Sequence, residues 1–107
     1  MSQKIEITAD ADGIPSDTVL RDQSHSLTVK VDANNKDVYL EFTTRESLRD
    51  FAKSLLHESY YGSGEIELYP LGTKNEWLVV NGVRLTEGSS RVFIFGTYGK
   101  VHEKLLE

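Results

Sequence analysis

Apolar residues recur along this chain with two different periods, and the contrast between them sets the expected fold. From Phe42 to Tyr61, Leu48, Phe51, Ala52, Leu55 and Leu56 fall at i, i+3, i+4, i+7 and i+8, the spacing of one helical stripe. Arg45, Asp50, Lys53 and Glu58 lie largely outside it. Elsewhere the pattern alternates as in half-buried strands: Lys4 to Thr8 with Ile5 and Ile7 inward, Leu27 to Val31, Val38 to Phe42, and Gly64 to Tyr69 with Ile66 and Leu68 inward. The predicted architecture is α+β: a single antiparallel β-sheet of six or seven strands with one main helix on one face, its Leu48, Phe51, Leu55 and Leu56 forming core.

Turn chemistry supports this order. Asp32 to Asp37 carries the Asn and Asp residues that tolerate left-handed backbone, so the strands it joins form a hairpin. Asn81-Gly82, between Asn75–Val80 and Val83–Thr86, is the strongest two-residue hairpin signal in the chain. Thr43 and Glu46 have the spacing of a capping box at the helix start, and Gly62-Ser63-Gly64 offers a positive-φ exit. Asp10 to Ser24 reads as a loop with a brief helical turn at Asp17 to Arg21. Arg91 to Phe95 is an apolar run suited to a central strand, and Lys100 to Glu107 reads either as one or two helical turns through Val101, Leu105 and Leu106 or as a frayed end.

Composition narrows the class without naming a chemistry. The chain has 107 residues, 38% hydrophobic and 27% charged, which is the make-up of one folded domain spanning 1–107. No apolar run approaches the roughly 18–20 residues of a membrane span, and the start lacks a signal-peptide core, so a cytoplasmic location without membrane contact is expected. There is no cysteine, which rules out disulfides and thiolate chemistry. The net charge of −5 divides into −6 over residues 1–67 and +1 over residues 68–107. Such an acidic surface repels nucleic acid and favours basic partners.

Candidate catalytic and metal motifs fail individually. Gly96 to Lys100 lacks the glycine and the hydroxyl residue that a phosphate-binding loop needs at Ile94 and Val101. Asp10-Ala11-Asp12-Gly13 lacks the remaining ligands of a calcium loop, and His25, His57 and His102 have no metal-binding spacing. Tyr61-Gly62-Ser63-Gly64 follows a helix and not the strand that a nucleophile elbow requires. Glu65 and Glu67 share one strand face, where alternate carboxylates ordinarily mark the solvent side. The expectation is a protein that is not an enzyme and carries no cofactor or metal.

Acidic and aromatic residues together point instead to protein contact. Tyr60 and Tyr61 end the helix, Tyr69 joins Glu65 and Glu67 on the outer strand face, and Asp10, Asp12 and Asp17 form a second acidic patch. Trp77 is expected to be a core anchor.

The stretches SLRDFAKSLLHES, GEIELYPLG, EWLVVNGVRL and RVFIF, within Leu48 to Phe95 and its flanks, resemble small immunity proteins of bacterial polymorphic-toxin and contact-dependent growth inhibition systems. That resemblance implies a cytoplasmic protein, monomeric when free, that binds and neutralises the C-terminal domain of a cognate toxin. Many such toxins are nucleases with basic clefts. No catalytic or contact position carries over from the resemblance. The other reading is a small non-catalytic module that self-associates through a sheet edge.

Overall fold

The order of elements follows the hydrophobic pattern closely at the first hairpin and the long helix, and departs from it at the N-terminus and in the sheet. A computed structural model of the chain describes residues 2–70, 72, 73 and 76–98. Helix α1 spans Asp17–Arg21, strands β1 and β2 span Leu27–Val31 and Val38–Phe42, and helix α2 spans Arg45–Tyr61. Strands β3 to β8 then cover Glu65–Leu68, Gly72–Thr73, Glu76–Trp77, Val79–Val80, Val83–Arg84 and Val92–Phe95.

The fold is mixed α+β with antiparallel pairs and one main helix, as expected. In place of a single six- or seven-stranded sheet, the described residues form two-stranded ladders: β1 with β2, β3 with β8, β4 with β5, and β6 with β7. Arg91 to Phe95, expected to be central, therefore pairs with β3 alone among the described residues. Irregular hydrogen bonds replace a continuous sheet at the outer edge of β1. Thr86 N–H donates to Leu27 O at 2.9 Å, Ser90 N–H to Val29 O at 2.9 Å, and Val29 N–H to Ser89 Oγ at 3.0 Å, with a single parallel bridge between Leu27 and Leu85. Ser89 and Thr86 thus supply side-chain and loop partners where a regular neighbour would supply ladder bonds.

Lys4 to Thr8 forms no strand. Ile5 is exposed and Ile7 half-buried, and both lie beside Leu56, Tyr60 and Tyr61 near the end of α2 instead of facing the core. The brief helix at Asp17–Arg21 does form, with Ser16 as its N-cap accepting from Val19 N–H at 3.5 Å.

Helix α2 begins one residue later than its sequence signal. Thr43 stays in the β1–β2 ladder, donating its N–H to Ser26 O at 3.0 Å while its hydroxyl accepts Ser26 N–H at 2.8 Å. The cap falls to Thr44, and Ser47 replaces Glu46 as the N3 partner of the capping box. At the other end the C-cap Gly62 has φ −80, and the positive φ of the exit falls instead on Gly64, at +103. The exit is made by Glu58, whose carbonyl accepts Gly62 N–H at 2.9 Å and whose carboxylate folds back to accept Gly64 N–H at 2.8 Å. A Cβ on Gly62 would stand 2.0 Å from that carboxylate, so the glycine provides the space for it.

The core comprises Leu27, Val29, Phe51, Ile66, Leu68, Val83 and Leu85, with Phe42, Val92 and Ile94 packed against it. Of the apolar stripe on α2, only Phe51 is buried: Leu48 is 50% exposed, and Leu55, Leu56 and Ala52 are also on the surface. The helix turns a mixed face inward, burying Ser47 and Asp50 and half-burying Ser54, His57 and Glu58. Its inner partners account for this. Asp50 receives Ser16 from the α1 cap, the Asn81-Gly82 turn packs against Asp50 and Ser54, and His57 donates through Nε2 to Ala9 O at 3.2 Å. The expected core place of Trp77 concerns a side chain outside the described set, as do the residues of the tail from Gly99 to Glu107.

Candidate binding surface

Strand β3 presents its two faces as the alternation predicts. Ile66 and Leu68 are buried, while Glu65, Glu67 and Tyr69 point to the other side and are half-buried. The antiparallel register with β8 sets Glu65 opposite Phe95 and Glu67 opposite Phe93. Each carboxylate therefore stands across from an aromatic residue, and the pairing produces a mixed acidic and aromatic face.

Tyr69 is held in place by both kinds of neighbour. Its hydroxyl donates to Glu67 Oε2, and its ring meets Phe93 edge to face at a centroid distance of 5.8 Å. The hydrogen bond to Glu67 holds the phenol above its ordinary pKa of 10.0, since ionisation would set two anions together. Arg91 lies over the Phe93 ring at 5.7 Å and places one cation at the border of this acidic row.

An open cleft of about 430 Å³ runs beside the row, lined by Ser63, Glu65, Glu67, Tyr69, Val80 and Asn81. Asn81, at φ +51 in the β6–β7 turn, donates through Nδ2 to Glu67 O at 3.1 Å and so fixes the turn against β3. Glu65 and Glu67 are thus partly enclosed instead of fully solvated.

The remaining candidate residues do not join this surface. Tyr60 and Tyr61, expected beside it, line a separate groove of about 270 Å³ with Ile5, Ile7 and Leu56. Tyr61 stacks at a tilt on His57 and on Tyr60, with centroids 5.4 and 6.2 Å away. Asp10 and Asp12 are exposed in the N-terminal loop, where Asp10 accepts from Thr8 and from Asp12 N–H, contacts that hold its pKa below the ordinary value. Asp17 starts α1 and pairs at 3.9 Å with Arg21 across one turn. These acids serve local turns and a short helix.

Several residues of the β3 surface are not singled out by the sequence pattern. Phe93, Phe95 and Arg91 lie within the run Arg91 to Phe95, where their alternation with Val92 and Ile94 is the one signal of an outer face. Ser63 and Asn81 reach the cleft only through tertiary packing of two turns, which no local pattern encodes.

Outside this surface the most constrained polar groups are structural. Arg84, 3% exposed, donates through Nη1 to Val19 O at 2.9 Å, Asp22 O at 3.0 Å and His25 O at 3.1 Å. Burial lowers its pKa, with the nearby Asp22 carboxylate opposing the effect. Asp50, 2% exposed, accepts from the Ser16 N–H at 2.8 Å and the Ser16 hydroxyl at 2.9 Å. His25 sits with Nδ1 2.7 Å from Thr44 Oγ1 at the cap of α2. Among the described residues no helix is long and apolar enough to cross a membrane, and no group of three or more His, Cys, Asp or Glu is placed to hold a metal ion.

Comparison with models of known families, with curated proteins and with solved structures yields no match.

Proposed function

We propose that this protein is a stoichiometric inhibitor that binds a basic protein domain through the β3 surface, as an immunity protein binds and neutralises its toxin. The observation that carries the reading is the row Glu65, Glu67 and Tyr69 facing Phe93 and Phe95 across the β3–β8 ladder. Tyr69 is already fixed by Glu67 and Phe93, so little side-chain freedom is lost when a partner covers it. Carboxylates beside a fixed aromatic ring suit a lysine- or arginine-bearing surface, with the charge speeding encounter and the rings supplying contact area. A basic nuclease cleft is such a surface, and a carboxylate-bearing binder competes there with the nucleic-acid backbone.

The test takes the neighbouring reading frames first: where one encodes an exported protein, its C-terminal domain is co-expressed with this chain. The native chain is expected to restore growth and to form a one-to-one complex, and the double variant Glu65→Lys, Glu67→Lys to lose at least about tenfold in affinity or association rate. Undiminished protection by the variant would remove β3 as the interface. Absence of protection by the native chain would remove the immunity reading itself.

A further inference from the structure

The two edges of the first hairpin are treated very differently. The register pairs Leu27 with Phe42, Val29 with Leu40 and Val31 with Val38, and continues at both ends through Thr43 N–H to Ser26 O and Asp32 N–H to Asp37 O. Hydrogen-bonded and non-bonded pairs alternate along an antiparallel ladder. Thr28 with Glu41 and Lys30 with Tyr39 are therefore the bonded pairs. The N–H and C=O groups of Leu27 and Val29 point away from β2, where Thr86, Ser89 and Ser90 meet them. Those of Val38, Leu40 and Phe42 point to the opposite edge, where β2 has no strand neighbour among the described residues.

That edge carries one charge, Glu41, and otherwise lacks the usual protections. Val38-Tyr39-Leu40-Glu41-Phe42 contains no proline and no lysine, and all five residues pair regularly with β1, without a bulge. Val38 and Leu40 are 56% and 47% exposed.

The helix above is open on the same side. Around α2, Asp50 meets the α1 cap, Asp50 and Ser54 meet the Gly82 turn, and Phe51 meets Phe42 of β2 at 5.9 Å between ring centroids. Leu55, Leu48 and Ala52 follow next in that circuit, about 40°, 60° and 100° beyond Phe51 at 100° per residue. All are exposed, so the uncovered apolar flank begins where the sheet stops at β2.

We propose that a second copy of this chain pairs through β2, antiparallel and centred on Leu40, to give a continuous β1–β2–β2–β1 sheet. The occupant follows from the self-complementarity of the strand. About a twofold axis at Leu40, each Leu40 meets its mate, Val38 meets Phe42, and Tyr39 meets Glu41. The outward-pointing amides and carbonyls of Val38, Leu40 and Phe42 then satisfy one another on both copies. Centring on Tyr39 sets Asp37 against Glu41, and centring on Glu41 sets two glutamates face to face; in both cases the central residue's backbone groups are already bonded to β1. The added strand lies under Leu48 and Leu55. A dimer replaces the free monomer expected from sequence, and leaves β3, a separate strand paired with β8, available for the partner proposed above.

Sedimentation of the full chain from roughly 1 µM to 1 mM is the test, together with amide hydrogen exchange at both ends of that range. The expected result is a concentration-dependent dimer in which the amides of Val38, Leu40 and Phe42 gain protection while those of Tyr39 and Glu41 stay unchanged. Leu40→Lys, an exposed substitution that sets two ammonium groups together, is expected to raise the dissociation constant at least tenfold, or about 1.4 kcal/mol. Leu48→Glu on the helix flank is expected to act in the same direction. A single 12.1 kDa species throughout overturns the proposal. So does a dimer that shows no alternating protection, or one that both variants leave intact while circular dichroism shows them folded.

Discussion

At the scale of single residues, two buried side chains, Asp50 at the start of α1 and Arg84 at its end, bind the N-terminal third to the rest. Arg84 offers its planar fork to carbonyls of α1 and the following loop, which are the acceptors a helix C-terminus leaves without partners. Truncation to alanine leaves those carbonyls in a dry site. Arg84→Ala is expected to cost about 3 kcal/mol, and Arg84→Lys to recover only part of it because an ammonium cannot reproduce the fork. Urea denaturation of the three proteins checks this. The residue was invisible in the sequence, since an arginine in an otherwise apolar strand reads as its solvent side, and the carbonyls it serves lie 59 to 65 positions away.

At the scale of elements, the first hairpin, both helices and the Asn81-Gly82 turn could be read from local chemistry, because their determinants lie within a few residues of each other. What the pattern could not show was the direction α2 faces. Its apolar stripe outlines a good amphipathic helix, yet the inward arc is set by partners distant in sequence: Ser16, Ala9 and the turn at Gly82. Gly82 makes the tightest of these contacts. It has φ +79, and a Cβ there would meet Asp50 O at 2.6 Å, a backbone atom with little room to yield. Gly82→Ala is expected to destabilise by about 2 kcal/mol or more, adding left-handed strain to a forced separation of turn and helix, and a lowered thermal midpoint would show it.

At the scale of the whole molecule, the five acidic residues that the sequence marks for partner contact fall at three separate sites. The Asp10 carboxylate accepts Asp12 N–H in the N-terminal loop, Asp17 starts α1, and Glu65 and Glu67 line the β3 cleft, so the overall charge describes the encounter field and not one interface. Acid stability is the measurable property of this arrangement. Asp22 accepts Ser24 N–H at 2.9 Å and lies near His25 and Arg84; the bond from Ser24, foremost, holds its pKa below 3.8. A carboxylate lowered in the folded state stabilises above its ordinary value, and that contribution fades as pH falls through the lowered one. Asp22→Asn is therefore expected to flatten the acid limb of a stability curve below about pH 4 and to leave the pH dependence above about pH 5 unchanged.

The Arg84 clamp also imposes a schedule on the emerging chain. Helix α1 has five residues, too few to persist alone in water. The groups that stabilise it arrive late: Asp50 secures its start only when α2 has left the ribosome, and Arg84 closes its end only after the second hairpin appears. Helix α1 precedes the groups that hold it and is thus expected to be among the last elements to take shape. A chain truncated before Arg84 is expected to be cleaved faster within residues 16–25 than the full chain, and limited proteolysis of the two checks this.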